Sequence, residues 1–249
     1  MDTYQRILLQ WQSWNVRTGR DLSHRMNDAY IACYTESNNI ESEEVSEDTS
    51  REVFLFGTVH YYTGSLLVLT ELANAAMCHQ LLCKRFGEQA PLTVDLVREI
   101  HATMMAGCYD RRRYIDLEER PGSFKRHDFV VGKDEVGVDP EDVEEELSVL
   151  LEEMADSDEV HPLLAGAYLH AKFECIHPFA DGNGRVGRLL LNYWLVTHNH
   201  PPITIYNEDK QKYFDALQAY VDFENLTPLV NFLMEQTVKT WRPIMPNGQ

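Results

Sequence analysis

One stretch of the chain, FECIHPFADGNGRVGRLLL from Phe173 to Leu191, constrains its fold more than any other. An apolar approach ends at His177, and a short polar loop follows. Gly182 to Gly184 allow the tightly curved or left-handed backbone that such a loop needs. Residues Arg185 to Val196 then repeat leucine at helical spacing. The sequence therefore predicts a polar loop that opens directly onto the N-terminus of an apolar helix.

A loop of this kind has the features of an anion site. The first N–H groups of a helix have no partner within it, and the helix dipole adds positive potential there. Arg185 and Arg188 are three residues apart, so they share a helix face as forked donors for phosphate oxygens. Asp181 offers the hard oxygen ligand that suits Mg²⁺ beside phosphates, and His177 could accept a proton near neutral pH. The Walker pattern G-x-x-x-x-G-K-[ST] is absent, and no G-x-G-x-x-G follows a strand, as a Rossmann fingerprint requires.

Each of these residues also has a purely structural explanation when taken singly. His177 could end the first helix, Asp181 could cap the second, and Arg185 and Arg188 could pair with some of the many acids of the chain. The pattern as a whole is more specific. It indicates a cradle for a polyphosphate with a metal ligand and a general base at its edge.

The segment HPFADGNGRVGR resembles the Fic-domain signature H-P-F-x-[DE]-G-N-[GK]-R-x-x-R and matches it at every defined position. The resemblance extends more loosely from about Ser37 to about Thr240. It implies an all-α Fic fold, a helical bundle with a small β-hairpin flap, formed by one domain over residues 1–249. It also implies a protein adenylyltransferase that moves AMP from ATP to the hydroxyl of a Ser, Thr or Tyr on a target protein.

The same resemblance assigns roles within the catalytic loop, residues 177–188. It implies His177 as general base, Asp181 as Mg²⁺ ligand, Gly182, Asn183 and Gly184 as the phosphate nest, and Arg185 and Arg188 as ligands of the outer phosphates. Three alternatives stay open from the sequence. The same site could remove AMP by hydrolysis, could transfer another phosphate-containing group, or could serve a nucleotide-sensing interaction module.

Residues 35–50, TESNNIESEEVSEDTS, are polar and strongly acidic, and a solvated loop is their simplest interpretation. Ser37 to Glu41 nevertheless resemble the [ST]-x-x-x-E-[GN] inhibitory motif of the class of Fic proteins with an N-terminal inhibitory helix. Ser42 stands where that motif has Gly or Asn. The resemblance implies that Ser37 and Glu41 form an inhibitory element. Glu41 would reach Arg188 and occupy the space that the γ-phosphate of ATP requires.

Residues 122–138 resemble the Fic flap, with a G-x-F-[RK] lead and a β-rich run before a glycine. A flap binds an extended target by strand addition, and Val130, Val131 and Gly132 are the predicted docking positions. Inward packing of alternate residues of this run is the other interpretation.

Just upstream, Arg111 to Arg113 form the one basic cluster of the sequence, for which a solvated face is the expectation.

Net charge, cysteine count and the apolar stretches limit the partners and the cellular location expected for this chain. A formal net charge of -18 over 249 residues argues against nucleic acid or an anionic membrane as the main partner. The five cysteines are odd in number and lie mostly in apolar runs, which favours buried thiols over disulfides. With no signal peptide and no apolar stretch of about 20 residues recognised, the expected location is cytoplasmic. The sequence leaves a homo-oligomer open.

Helical periodicity covers most of the chain. Two helices are predicted between Asp2 and Tyr34, and a helical region with kinks at Gly57 and Gly64 between Arg51 and Phe86. Further helices are predicted at Leu92–Met105 with Thr93 as N-cap, from Asp139-Pro140-Glu141 through Met154, at Pro162–Glu174, at Asp209–Tyr220 and at Leu226–Trp241. The helix from Pro162 to Glu174 would deliver His177 to the loop.

Overall fold

A computed structural model describes residues 1–26, 29–42, 44–131, 134–157 and 159–243, with backbone alone for 129–131 and 134–136. The helices are α1 Thr3–Ser13, α2 Gly19–Met26, α3 Ala29–Glu41, α4 Glu47–Phe56, α5 Leu66–Gly87, α6 Val94–Met104, α7 Val143–Ala155, α8 Pro162–Ile176, α9 Asn183–Thr197, α10 Lys210–Phe223 and α11 Thr227–Trp241. A π-helical turn spans Arg112–Asp116, and a 3₁₀ turn spans Asn207–Asp209. The predicted all-α class is confirmed.

Helix α9 lies at the centre of the bundle. It packs against α8 along its length and also contacts α3, α5 and α6. Val186, Leu190 and Leu195 are fully buried, and Leu191 is almost so. A helix that is apolar on nearly every side must be enclosed by other helices. The N-terminus of α9, where the polar loop begins, is therefore held in place from several directions.

Two short strands, β1 Phe129–Val131 and β2 Asp134–Val136, lie within the segment assigned to the flap. They pair antiparallel, with Val130 opposite Glu135 and Val131 opposite Asp134. Gly132, the third predicted docking position, lies outside the described residues. The structure therefore shows the backbone of two paired strands in the flap segment, and the docking role of Val130, Val131 and Gly132 stays a prediction.

The N-terminal third differs from the expectation of two helices and a loop. Three helices occupy residues 3–41 within the described chain, because α3 begins at Ala29 and continues through the polar run to Glu41. The solvated-loop interpretation of residues 35–50 is thus wrong for 35–41, and also for 47–50, which form the first turn of α4. Thr35, Asn38 and Ile40 are buried, so tertiary packing overrides the weak helix propensity of this polar run.

The region from Arg51 to Phe86 is two helices and a connection. Helix α4 ends at Phe56 because Gly57 adopts the left-handed conformation with φ 65°, and α5 begins after the N-cap Ser65. Over Leu66–Gly87, α5 is long and apolar enough to cross a membrane, which corrects the expectation that no such stretch exists. Buried residues along it, such as Leu72 and Cys78, pack within the bundle, and Asn74 donates hydrogen bonds to the carbonyls of Met104 and Ala106.

The remaining helices follow the predictions within a few residues. Thr93 caps α6 by accepting a hydrogen bond from Leu96 N–H, and α7 buries Leu147 and Met154 as expected. Helices α1 and α11 bring Trp11 and Trp241 into edge contact, with ring centroids 5.2 Å apart. This aromatic pair joins the first and last helices of the fold.

Candidate active site

Helix α8 delivers His177 to the loop. It starts after the N-cap His161 with Pro162 in its first turn and ends at His177, which adopts the left-handed conformation with φ 50° and ψ 61°. The N–H of His177 donates to the carbonyl of Phe173 at 3.0 Å. His177 therefore does end the helix, as its structural explanation required. A left-handed conformation is uncommon for a residue other than glycine and is often found at functional sites.

The imidazole of His177 is partly buried beside the flap. Burial, reinforced by the nearby Lys125, lowers the pKa of His177 to about 4. The end of the flap lies against it, since a Cβ added at Gly137 would come within 2.6 Å of the His177 Cβ. A histidine with this pKa is neutral at pH 7 and can accept a proton.

The loop after His177 is fixed from within by Asn183 and Phe179. The Asn183 amide accepts from Phe179 N–H at 2.9 Å and donates to the Phe179 carbonyl at 2.7 Å. The Phe179 ring is fully buried and stacks on His101, with centroids 3.6 Å apart. The Asn183 side chain is thus committed to holding the loop. Of the polar groups of Asn183, only the backbone N–H remains for the predicted contact with phosphate.

His101 joins the loop to the start of the flap segment. The N–H of Gly122 donates to His101 Nδ1 at 2.7 Å, so the proton is on Nε2, which contacts the Asp181 carbonyl at 3.0 Å. Burial lowers the pKa of His101 to about 3, which keeps it in this neutral form. Nothing in the local sequence of α6 singles out His101 for this role. The contact that matters joins residues 80 positions apart and has no local signal.

At the N-terminus of α9 the backbone has the geometry of an anion site. Gly182 is the N-cap with φ 80°, and its N–H donates to Asp181 Oδ1 at 2.7 Å. The N–H groups of residues 183–185 precede the first intrahelical bond, which runs from Val186 N–H to the Gly182 carbonyl. These donors and the helix dipole attract an anion.

Arg188 is buried and paired with α3. Its Nη1 lies 2.9 Å from Glu41 Oε1, its Nε donates to Ser37 Oγ at 2.8 Å, and its Nη2 donates to the Ser37 carbonyl at 3.0 Å. Burial alone would raise the pKa of Glu41, but Arg188, with help from Arg185, lowers it below its usual value. The ionised carboxylate is therefore the form that meets Arg188.

Glu41 can approach so closely because residue 184 has no side chain. A Cβ at Gly184 would collide with Glu41 Oε1 and lie 3.0 Å from Arg188 Nη1. Gly184 belongs to the predicted phosphate nest. The carboxylate of Glu41 thus lies next to the nest and against one of its two arginines.

Arg185 has a buried partner that sequence reasoning missed. Its Nη1 lies 2.5 Å from Glu71 Oε1 on α5, and the other oxygen of Glu71 accepts from Ser42 Oγ at 2.9 Å. Both ends of the pair are under 10% exposed. Ser42, where the inhibitory motif has Gly or Asn, is thereby linked to Arg185 through Glu71. A polar residue inside an apolar helix such as α5 was the only available hint.

Asp181 is flanked by two guanidinium groups. Arg113 Nη2 lies 3.4 Å from Oδ2, and Arg185 Nη2 lies 3.6 Å from Oδ1. Among the described residues, no group of three or more His, Cys, Asp or Glu side chains could hold a metal ion. One carboxylate, 36% exposed, fits an ion such as Mg²⁺ that takes its other ligands from phosphate and water. The expectation of a solvated face for Arg111 to Arg113 is wrong for Arg113.

The flap segment is tied to the loop by its backbone at both ends. Lys125 N–H donates to the Pro178 carbonyl at 2.9 Å, and Val138 N–H donates to the Ile176 carbonyl at 3.1 Å. These bonds place the strand bearing Val130 and Val131 on a segment that starts and ends beside His177. Main-chain anchoring of this kind holds the position of a segment whatever its side chains are.

Buried histidines make a prediction about pH and stability. Burial lowers the pKa values of five histidines to about 3 or 4: His79, His101, His170, His177 and His200. Because these folded-state values lie below the unfolded value near 6.5, the stability they contribute is present above pH 6.5 and is lost as pH falls toward 4. Each histidine lowers the free energy of unfolding by at most about 1.4 kcal/mol for each pH unit of acidification.

We therefore expect the free energy of urea unfolding to fall between pH 6.5 and 4.5, before most carboxylates titrate. Glu174 acts in the opposite sense across this window, since burial raises its pKa from 4.5 to about 7. One such group does not offset five histidines. A free energy of unfolding that stayed constant or rose across the window would contradict the buried neutral histidines.

One cleft of the described chain lies away from this loop. It holds about 380 Å³ at the far end of α9, lined by residues that include Phe86, Leu151, Trp194 and His198. None of the predicted site residues lines it. The chemistry-bearing residues instead gather at the N-terminus of α9, where Glu41 fills the space beside Arg188.

The fold and this loop define a class: an all-α protein with an anion site at a helix N-terminus, bordered by a neutral histidine and a carboxylate. Residues 91–195 match the sequence model of the Fic/DOC family. The match spans α6, α7, α8 and most of α9, so this part of the chain is similar to the Fic/DOC family.

Two curated relatives and a solved structure agree with this assignment. The chain is 31% identical over 159 residues to a "Protein adenylyltransferase Fic" of Drosophila willistoni and 36% identical over 155 residues to one of Aedes aegypti. These matches cover 61% and 60% of this chain but only 29% and 28% of the relatives. A Fic domain containing signaling protein from Bacteroides thetaiotaomicron superposes with a TM-score of 0.80 at 22% identity, covering 97% of this chain and 94% of that one.

Proposed function

We propose that this protein is an adenylyltransferase that moves AMP from ATP to a hydroxyl group of a target protein. The observation that carries the proposal is the junction of α8, the loop and α9. There a partly buried, neutral histidine, a carboxylate, a helix N-terminus and two arginines meet within one segment that resembles the Fic-domain signature. The names of the curated relatives support the same activity, although the chain covers less than a third of either.

In the proposed reaction, His177 takes the proton of the acceptor hydroxyl as its oxygen attacks the α-phosphorus of ATP. The bond from the α-phosphorus to the bridging oxygen breaks, and pyrophosphate leaves. The N–H groups of residues 183–185, with Arg185 and Arg188, bind and orient the phosphates and stabilise the charge that develops on them. Asp181 would hold a Mg²⁺ ion together with phosphate oxygens, and a bound ion neutralises phosphate charge.

We further propose that Glu41 inhibits this reaction. The 2.9 Å ion pair between Glu41 and Arg188, and the two hydrogen bonds that Arg188 donates to Ser37, support a role in which α3 occupies the arginine that the outer phosphate of ATP needs. A charge-assisted pair to a buried guanidinium is strong enough to compete with a nucleotide phosphate. ATP would then bind in a productive pose only when Glu41 has moved away.

The acceptor is proposed to dock along the flap. The antiparallel pair β1 and β2, anchored beside His177 through Lys125 and Val138, supports recognition of an extended segment by main-chain hydrogen bonds. Such pairing accepts many sequences. The choice of target would lie in side-chain contacts with the flap.

Parallel incubations with α-³²P-labelled and γ-³²P-labelled ATP, a candidate target and Mg²⁺ test the reaction class. The expected result is label on protein from the α position alone, with a mass increase equal to one AMP. The Glu41→Gly variant should be included, since inhibition would mask a weak signal in the unmodified chain. Protein label from γ-labelled ATP would indicate a kinase instead. No label from either source, while ATP still binds, would favour a nucleotide-sensing module.

A further inference from the structure

Arg113 is held between two acids at the edge of the candidate site. Its Nη1 donates to Asp110 Oδ2 at 2.8 Å, and its Nη2 lies 3.4 Å from Asp181 Oδ2. The other carboxylate oxygen of Asp181, Oδ1, lies near Arg185 Nη2 and accepts a hydrogen bond from Gly182 N–H. Because Oδ1 already accepts from Gly182 N–H, we take Oδ2, beside which the Arg113 guanidinium lies, as the oxygen that would meet a metal ion.

The backbone around Arg113 fixes this position. Arg113 lies in the π-helical turn Arg112–Asp116, a geometry often found at functional sites. Its N–H donates to Asp110 Oδ1 at 2.8 Å, and its carbonyl accepts from Glu119 N–H at 2.8 Å. The side chain is thus presented from an anchored main chain, and its approach to Asp181 does not depend on a mobile loop.

The two neighbouring arginines differ from Arg113. Arg111 and Arg112 are exposed, whereas the Arg113 side chain is 32% exposed and faces the loop. All three carry the same charge within a few residues. A general electrostatic effect of the cluster would involve all of them, whereas an effect through Asp181 would involve Arg113 alone.

We propose that Arg113 is a positioning residue that serves as a built-in cation for Asp181 and competes with the divalent metal for this carboxylate. In the nucleotide-free protein, the guanidinium compensates the charge of Asp181. When ATP arrives with its metal ion, the ion must displace Arg113 from Oδ2. Arg113 thereby sets how strongly ATP binding depends on the metal. This inference rests on the proposed function and concerns the same site.

The competition has a simple electrostatic basis. A unit positive charge a few ångströms from a carboxylate weakens the binding of a second cation there, because the two cations repel each other. The effect at a partly exposed site corresponds to about a tenfold change in binding. It acts on affinity and not on proton transfer, so it can be measured without turnover.

The test measures ATP affinity by calorimetry, first in EDTA and then at saturating Mg²⁺, with every variant built on His177→Asn, which prevents reaction and suits the left-handed backbone at this position. The dissociation constant in EDTA divided by the dissociation constant in Mg²⁺ reports how much the metal strengthens ATP binding. Arg113→Ala should raise this ratio about tenfold, while Arg113→Lys, which keeps the charge, should leave it close to the parent value. Arg112→Ala is the matched control and should not change it.

Asp181→Asn provides the second arm. It should bring the ratio close to one, and adding Arg113→Ala should then have no further effect, because the shared partner has gone. A ratio that is unchanged or lower in Arg113→Ala with Asp181 intact would overturn the competition. An equal rise in Arg112→Ala would overturn the specific role of Arg113. Failure of the parent to bind ATP under any condition would instead contradict the proposed function, and the inference with it.

Discussion

Replacement of His177 by alanine is expected to lower the rate of AMP transfer by about 10²–10⁴, the usual contribution of a general base. The affinity for ATP should stay within a few-fold of the unmodified protein. The two quantities separate because a base acts in the transition state, whereas the N-terminus of α9 and its arginines hold the nucleotide in the ground state. Single-turnover transfer of labelled AMP and calorimetric binding of ATP measure them independently.

A second variant controls for the backbone. Since His177 has φ 50°, alanine at this position could shift the loop as well as remove the base. Asparagine tolerates the left-handed conformation better and cannot act as a base at neutral pH. His177→Asn should therefore be as inactive as His177→Ala and should bind ATP at least as well. Transfer at an undiminished rate in either variant would exclude His177 as the base.

Replacement of Glu41 by glycine is expected to raise AMP transfer, including self-modification, by roughly tenfold. The carboxylate lies 2.9 Å from Arg188, and its loss frees this arginine for the outer phosphate of ATP. A competitor that outranks the nucleotide by about 1.4 kcal/mol changes occupancy of the productive pose tenfold. The sign of the change is informative, since loss of an ordinary surface charge should have little effect.

Two further variants separate charge from helix stability. Glycine weakens a helix, so Glu41→Gly also destabilises the end of α3. Glu41→Gln keeps the length of the side chain and removes only the charge, and it should activate in the same direction. Glu47→Gln is the matched control, because Glu47 is exposed and pairs with Arg51 on its own helix. Equal rates for all these proteins at saturating ATP would defeat autoinhibition and leave the roles of the catalytic loop untouched.

Arg188 distinguishes relief of inhibition from a general loosening of the site. Arg188→Ala deletes the partner of Glu41 and the phosphate ligand together, so it should stay weak in transfer even when combined with Glu41→Gly. If Glu41 also takes part in hydrolytic removal of AMP, the same variants should show a second effect. Release of AMP from a pre-modified target should then fall in Glu41→Gly while transfer rises.

The sequence by itself determined the elements that depend on local chemistry. The signature in residues 177–188 indicated the loop, the N-terminus of α9 and the residues that line it. Thr93 indicated the start of α6, and Pro162 indicated the start of α8. Caps, prolines and helical periodicity act within a few residues, so they can be interpreted without knowledge of the fold.

Only the tertiary structure decided what each site residue contacts. Residues 35–41 are helical because Ile40 and Asn38 are buried in the bundle, against the polar character of the segment. Glu71 pairs with Arg185 across 114 positions, and Ser37 with Arg188 across 151. Arg113 and His101 reach Asp181 from elements whose local sequence indicates only surface or core. Such partners are chosen by the packing of α3, α5 and α6 around α9, and charge complementarity between distant residues leaves no periodic or short-range pattern in the sequence.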